Sequence, residues 1–193
     1  MGDTGAANMG SPDILTPPEV LIDADAIAAR VAELGASIRA DYTDAALTVV
    51  VVLKGSFIFA ADLVRSIDLP LSVDFLGVRS YGDSTRTSGV VQITSDLSHS
   101  VEGRDVLLIE DIVDTGLTSR FLFETLRTRG PHSIKLATLL HKPTRAVVKF
   151  DIDYLGFTID DVFAVGYGLD YAQRYRNLPY VGVLPDPTCD DTP

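Results

Sequence analysis

Apolar residues follow two different periods along this chain. Between Asp23 and Arg39, Ile27, Val31, Leu34 and Ile38 recur at helical steps, which predicts an amphipathic helix with acids capping its start. Leu47 to Leu53 is an unbroken apolar, β-branched run, as expected of a central parallel strand buried on both faces. Phe57 to Arg65 returns to a helical pattern. Leu71 to Arg79 predicts a strand ended by Ser80-Tyr81-Gly82. The small polar stretch Asp83 to Gly89 predicts a loop, and Val90 to Thr94 its return strand. Val106 to Ile109 predicts a second buried strand, and Thr118 to Arg129 a helix closed by Gly130-Pro131. Ile134 to Leu140, Tyr154 to Ile159, Val162 to Val165 and Val181 to Leu184 supply the remaining strand candidates. Strands alternating with helices predict an α/β fold. Its sheet would be mostly parallel and flanked by helices, with ligands at the C-terminal ends of the strands. No internal repeat is visible.

Composition narrows the class. The 193 residues suit one sizeable domain with a buried core. No apolar run approaches the ~20 residues needed to span a membrane. Residues 1–18 are rich in Gly, Ala, Pro and Asp and lack the basic start and apolar core of a signal peptide. They are expected to be a disordered leader, 19–185 the domain, and 186–193 a flexible tail. The single cysteine, Cys189, cannot form an internal disulfide, which fits a cytoplasmic location. A net charge of −11 argues against nucleic acid as a general partner, because phosphate-backbone binding wants a basic face. The same acidic excess is as consistent with solubility as with metal use.

The stretch Val106 to Ser119 is the most telling. After the apolar run come adjacent acids, Glu110 and Asp111, then the turn Asp114-Thr115-Gly116, then Leu117-Thr118-Ser119 opening a helix. Strand, Gly turn and helix N-terminus make an anion site, since free N–H groups and the positive helix end point at one spot. Alone, this is as readily a structural strand–turn–helix. Acids beside an anion make sense if the ligand also carries a sugar diol and a divalent metal.

This segment resembles the signature of the type I phosphoribosyltransferases, which bind 5-phosphoribosyl-1-pyrophosphate (PRPP). Glu110-Asp111-Ile112-Val113-Asp114-Thr115-Gly116 is similar in particular to the hypoxanthine (hypoxanthine-guanine) phosphoribosyltransferases. Further blocks follow in family order from about Val20 to Leu184. Val52-Leu53-Lys54-Gly55 resembles the pyrophosphate loop, Arg79-Ser80-Tyr81-Gly82 the start of a mobile lid, and Leu139-Leu140-His141-Lys142 the base-contacting lysine segment. Phe163 to Tyr171 resembles the purine clamp, and Tyr175-Arg176-Asn177-Leu178 the segment of the C-terminal arginine. The resemblance adds a small hood of N- and C-terminal segments over the sheet edge. It implies transfer of the phosphoribosyl group from PRPP to hypoxanthine, and to guanine, with Mg²⁺ as cofactor, in a homodimer or homotetramer.

It also implies roles. Asp114, Thr115, Gly116, Leu117, Thr118 and Ser119 would hold the ribose 5-phosphate, the hydroxyls of Thr115, Thr118 and Ser119 included. Glu110 and Asp111 would take the diol and the metal, with Asp170 reaching metal-bound water. Asp114 would be the general base that accepts the purine's ring proton. Lys54, Gly55 and Arg176 would bind pyrophosphate, and the family often carries a non-proline cis peptide where Leu53 meets Lys54. Ser80 and Tyr81, with Arg86 nearby, would belong to a lid that keeps water from an oxocarbenium-like transition state. Lys142 would donate to the 6-oxo group, Phe163 would stack on the base, and the backbone carbonyls of Ala164 and Asp170 would meet its Watson–Crick edge. Taken singly, Lys54-Gly55 reads as a helix-leading turn, Lys142 as a surface lysine, and the lid as an ordinary hairpin. His99, His132 and His141 show no metal-ligand spacing. Two other classes remain open on sequence grounds: an RNA-binding regulator on the same fold, and a nucleotide-binding α/β protein without transfer activity.

Overall fold

The computed structural model describes residues 17–42, 46–83 and 86–184. Its main sheet has six strands in the order β4-β3-β2-β5-β6-β7. These are β2 (Leu47–Leu53), β3 (Leu71–Asp83), β4 (Arg86–Ser95), β5 (Asp105–Val113), β6 (Ser133–His141) and β7 (Tyr154–Thr158). All neighbours pair in parallel except β3 with β4. A second, antiparallel sheet joins the two ends of the described chain in the order β1-β9-β8, from β1 (Glu19–Ile22), β9 (Val181–Leu184) and β8 (Phe163–Val165). Three α-helices complete the fold: α1 (Ala24–Asp41), α2 (Phe57–Ser66) and α3 (Leu117–Arg127). No helix among the described residues is long and apolar enough to cross a membrane.

The unbroken apolar run of β2 is explained by its two covered faces. Val49 and Val51 join the core under α1 and α2, with Leu107 and Ile109 of β5. Val50 and Val52 join the core under α3, with Val106 and Leu108. Alternation along each strand thus feeds two separate cores, so both faces of β2 are apolar except at Thr48, whose hydroxyl is hydrogen-bonded to Ser72 and Arg104. The acidic start of α1 caps as expected: Asp23 Oδ1 accepts from the Ala26 N–H at 2.7 Å. Arg30 of α1 reaches β7, donating to the carbonyls of Leu155 and Gly156, and so ties this helix to the far sheet edge.

The structure departs from the sequence expectations in several places. The loop expected over Asp83 to Gly89 is mostly strand: β3 runs to Asp83 and β4 starts at Arg86, with Tyr81 opposite Val90. Small polar residues satisfy an antiparallel backbone ladder as well as apolar ones do, so composition alone is a poor guide there. The side chains of Ser80, Tyr81 and Arg86, expected in the lid, lie outside the described residues, as do most of the leader, the tail and Cys189. β1 was not anticipated, because a four-residue strand carries too short a pattern. β5 continues past Ile109 to Val113, so both acids sit inside the ladder, with Glu110 opposite Thr138 of β6. His99 and His132 lie on the surface, each beside an acid, Asp74 and Asp105 respectively.

Asp74 is a buried carboxylate that organises one edge of the sheet. Its Oδ2 accepts the N–H groups of Ser98 and His99, and its Oδ1 the N–H of Phe75. Burial pushes its carboxyl up, but these hydrogen bonds outweigh burial and hold it below the usual carboxylate range. A depressed folded value gives stability that is present at neutral pH and lost as pH falls through that value. Asp74→Asn should therefore cost about 1–3 kcal/mol at pH 7, the range for a charged acceptor of backbone N–H groups. The gap should close in acid. Urea unfolding of both proteins at pH 7 and below pH 4 checks this; an equal gap at both would refute it.

Candidate active site

The site forms where β2 and β5 end. β5 pairs with β2 only as far as Ile109, opposite Val51, while its pairing with β6 continues. Beyond Ile109, β5 therefore faces the loop that leaves β2. That loop turns at once. The Leu53–Lys54 peptide is cis, as the resemblance implied, and the Ser56 hydroxyl donates to the Val52 carbonyl before α2 begins. Gly55 lies so close to Asp111 that a Cβ there would stand 1.5 Å from Asp111 Oδ2. The carbonyl of Gly55 in turn faces Gly168, where a Cβ would be 2.1 Å away. Three distant segments thus meet at Gly55, one through the Asp111 carboxylate and one backbone to backbone at Gly168.

Glu110 and Asp111 point in different directions, as neighbours in a strand must. Glu110 is 3% exposed, and its Oε2 accepts the Ser119 hydroxyl at 3.0 Å, while Oε1 has no partner. Burial, and then the charge of Asp111, push its carboxyl up to about 8, against a weaker opposing pull from Ser119. Asp111 is likewise raised, chiefly by burial. Ser119 itself is buried, and its hydroxyl is taken by Glu110. It therefore does not offer that hydroxyl to a phosphate as expected, because its place on α3 turns it inward.

The turn ahead of α3 has the backbone form expected of an anion site. Gly116 caps the helix in the left-handed region at φ 79° and supplies no capping side chain. Among the described residues, one N–H of the helix's first turn has a side-chain acceptor, and the others stay available to a ligand. The Thr115 hydroxyl accepts from the Leu117 N–H at 3.4 Å. Asp114 is half-buried, and its carboxyl is raised by burial but pulled back by Arg145 and Lys142. Arg145 Nε stands 2.9 Å from Asp114 Oδ1 as an ion pair, in an orientation that makes no hydrogen bond.

The remaining expected residues gather around this edge. Lys142 is only 7% exposed; its N–H donates to the Val113 carbonyl, and its ammonium lies 3.6 Å from Asp161. Phe163 is 38% exposed and meets Tyr171 edge to face at 5.5 Å. Ala164 sits opposite Val183 in the small sheet. Arg176 is held by the Gly168 carbonyl at 2.7 Å and by Asp170 at 2.6 Å. The other oxygen of Asp170 accepts the Gln173 N–H. Lys54 is exposed at the mouth of its loop. Sequence reasoning missed Arg145 and Asp161. Arg145 follows Lys142 by one short turn, but nothing in Lys-Pro-Thr-Arg distinguishes it from a surface cation.

Among the described residues no three acidic or imidazole side chains converge into a preformed metal cage. The donor set nevertheless fits a hard cation held jointly with ligand oxygens. Asp111 stands over the loop, Asp170 is near enough to perturb it, and Glu110 keeps an orphaned oxygen.

The chain is similar to known proteins along most of its length. The family model described as a phosphoribosyl transferase domain matches residues 20–172. The hypoxanthine-guanine phosphoribosyltransferase of Bacillus subtilis is 52% identical over 166 residues, covering 86% of this chain and 92% of the relative. That of Mycobacterium avium is 51% identical over 171 residues, covering 86% and 84%. The solved structure of a hypoxanthine phosphoribosyltransferase from Staphylococcus aureus superposes with a TM-score of 0.85 at 45% identity, covering 90% and 94%.

The raised Glu110 carboxyl has a measurable consequence. Its folded value, about 8, exceeds the ordinary 4.5. Its contribution is thus complete below the ordinary value and is lost as pH rises towards the folded one. Without ligand or metal, the protein should lose stability between pH 5 and pH 8, and Glu110→Gln should flatten that decline. Denaturant midpoints at both pH values check this; parallel declines in the two proteins would contradict it.

Proposed function

The chain belongs to the phosphoribosyltransferase family, and we propose how its own residues divide the work of the transfer. It is a hypoxanthine phosphoribosyltransferase of purine salvage. The 5-phosphoribosyl group moves from PRPP to hypoxanthine, and to guanine, giving the 5′-mononucleotide and pyrophosphate. The bond from C1′ to the pyrophosphate oxygen breaks, a purine ring nitrogen bonds to C1′, and the ring's displaced proton goes to the Asp114 carboxylate.

One observation carries the assignment of Asp114. It is the half-buried acid between an uncapped helix start on one side and the buried Lys142 on the other. A ribose 5-phosphate on the N–H groups of 115–119 leaves the purine to extend towards Lys142 and Phe163. Lys142 offers only donors, which suits a 6-oxo group and not a 6-amino group. Phe163 presents an exposed ring for stacking, steadied at its edge by Tyr171. The backbone carbonyls of Ala164 and Asp170 take the Watson–Crick edge.

Lys54, Gly55 and Arg176 receive the pyrophosphate. Glu110 and Asp111 take the ribose diol, and with Asp170 they would hold Mg²⁺. Bound there, Mg²⁺ would offset charge on the leaving pyrophosphate. Ser80 and Tyr81 shield the reaction from water. The enzyme works in the cytoplasm as a homodimer or homotetramer. Val73 and Phe75, exposed on one face of β3, and Phe57 at the start of α2 support self-association.

Asp114→Asn keeps the shape of the site and removes the base. Its kcat should fall by ~10²–10⁴, the usual scale of general-base catalysis. PRPP affinity should barely change. Inosine monophosphate formation from PRPP, Mg²⁺ and hypoxanthine, together with PRPP titration calorimetry, measures both. Full activity in this variant would sink the assignment.

A further inference from the structure

We propose that Arg145 is the positioning residue of Asp114, and that Asp161, shared between Arg145 and Lys142, ties this hold to the lysine that selects the purine. The inference rests on the account of Asp114 as proton acceptor given above.

Backbone geometry places Arg145. Lys142 donates its N–H to Val113, one residue before Asp114. Pro143 then opens a 3₁₀ turn, Pro143–Arg145, in which Arg145 donates its N–H to the Lys142 carbonyl. Proline suits the first position of such a turn because its φ is already fixed there. Just past the turn, Val147 and Val148 both donate to the Thr115 carbonyl, at 3.0 and 3.1 Å. Gly116 is also packed on this segment, where a Cβ would lie 2.6 Å from the Val148 carbonyl oxygen. The stretch from Lys142 to Val148 is therefore fastened to the turn 113–116 at both of its ends. Arg145 projects from between the fastenings onto Asp114.

The side-chain arrangement adds function to that placement. Arg145 addresses two acids with different nitrogens: Nε stands 2.9 Å from Asp114, and Nη1 lies 3.4 Å from Asp161. The same Asp161 oxygen lies 3.6 Å from the Lys142 ammonium. A guanidinium can address two carboxylates at fixed angles, whereas an ammonium is a point charge. Arg145 and Asp161 are each about half exposed, so these ion pairs contribute little to folding. The pair on Asp114 Oδ1 makes no hydrogen bond, so that oxygen keeps its capacity to accept a proton from the base. Arg145 thus holds the carboxylate in place by charge and close contact without taking the hydrogen bond of Oδ1. Asp161 keeps Arg145 and Lys142 at a set spacing, so purine register and base register are linked.

The test uses full-length enzyme with saturating Mg²⁺, reading inosine monophosphate formation while PRPP and hypoxanthine are varied separately. Arg145→Gln should lower kcat by about ten-fold or more, as expected when a reacting group loses its orientation. Its KM for PRPP and its Tm should stay close to the parent values. Arg145→Lys should recover part of the loss, because it restores charge but not the two-acid geometry. Asp161→Asn should raise KM for hypoxanthine and lower kcat. In the Arg145→Gln background it should lower kcat no further, since the two residues act through one path. A merely structural role would move Tm and both KM values together and would show no such non-additivity. If Arg145→Gln fails to fold, the cycle of Arg145→Lys with Asp161→Asn reads the same coupling. If the parent makes no nucleotide, or Asp114→Asn keeps full activity, the account of the base fails. If both of those hold and Arg145→Gln turns over at or above the parent rate, or the Asp161 effect simply adds, this inference alone is overturned.

Discussion

Strands β2 and β5 lie side by side in parallel, Val50 opposite Leu108 and Val51 opposite Ile109, with helices covering both faces. Burial on both sides leaves nowhere along these strands for a polar side chain to reach water. Polar chemistry gathers where their mutual pairing stops, past Val51 and Ile109. Because the two run the same way, they stop at one edge. Lys54-Gly55 and Glu110 to Asp114 are thereby brought together although more than fifty residues of chain separate them. Everything else at the site is added to that junction: Lys142 from the end of β6, and Arg176 and Asp170 from the turn after β8.

Local groups then offset part of the charge set by composition. The chain carries −11 overall, yet its substrates are anionic. The uncapped start of α3, the exposed Lys54 and the partly buried Arg176 make the edge attractive to phosphate without a basic surface. The acids there are not surplus. Both carboxyls, Glu110 and Asp111, are raised, and buried Glu110 keeps one oxygen without a partner among the described residues. A hydroxyl or a cation brought by the ligand would supply the missing partner, so binding draws on an electrostatic cost already present in the empty site.

Much of this was legible in the residues. The β2 run, the α1 spacing and the motif at the end of β5 each carry a strong periodic or chemical signal, and each element lies within a few residues of its expected bounds. Other features were not legible, for definable reasons. β1 is short, and it is a strand only because β9 pairs with it. The β3–β4 hairpin outruns its apolar pattern, because ladder hydrogen bonds do not depend on side-chain polarity. Ser119 looked like a phosphate ligand until its position on the helix turned its hydroxyl to Glu110. Arg145 became visible only once backbone hydrogen bonds from Val147 and Val148 to Thr115 showed where it lies.

These last contacts bear on how such a site can be both exact and adaptable. Its segments are joined chiefly through backbone: Gly55 against Gly168, Lys142 to Val113, Val147 and Val148 to Thr115. A backbone junction does not depend on which side chain projects from it, apart from the glycines that close approach demands. Side chains around the edge are then free to make ligand contacts, and their replacement need not loosen the frame. The exceptions are groups spent inward, such as Ser119 on Glu110 and Asp170 on Arg176, where one side chain holds another. At those positions stability and ligand binding share the same atoms, so substitutions there should not separate the two. Around Asp114, where the frame is backbone and the ion pair is half exposed, they should.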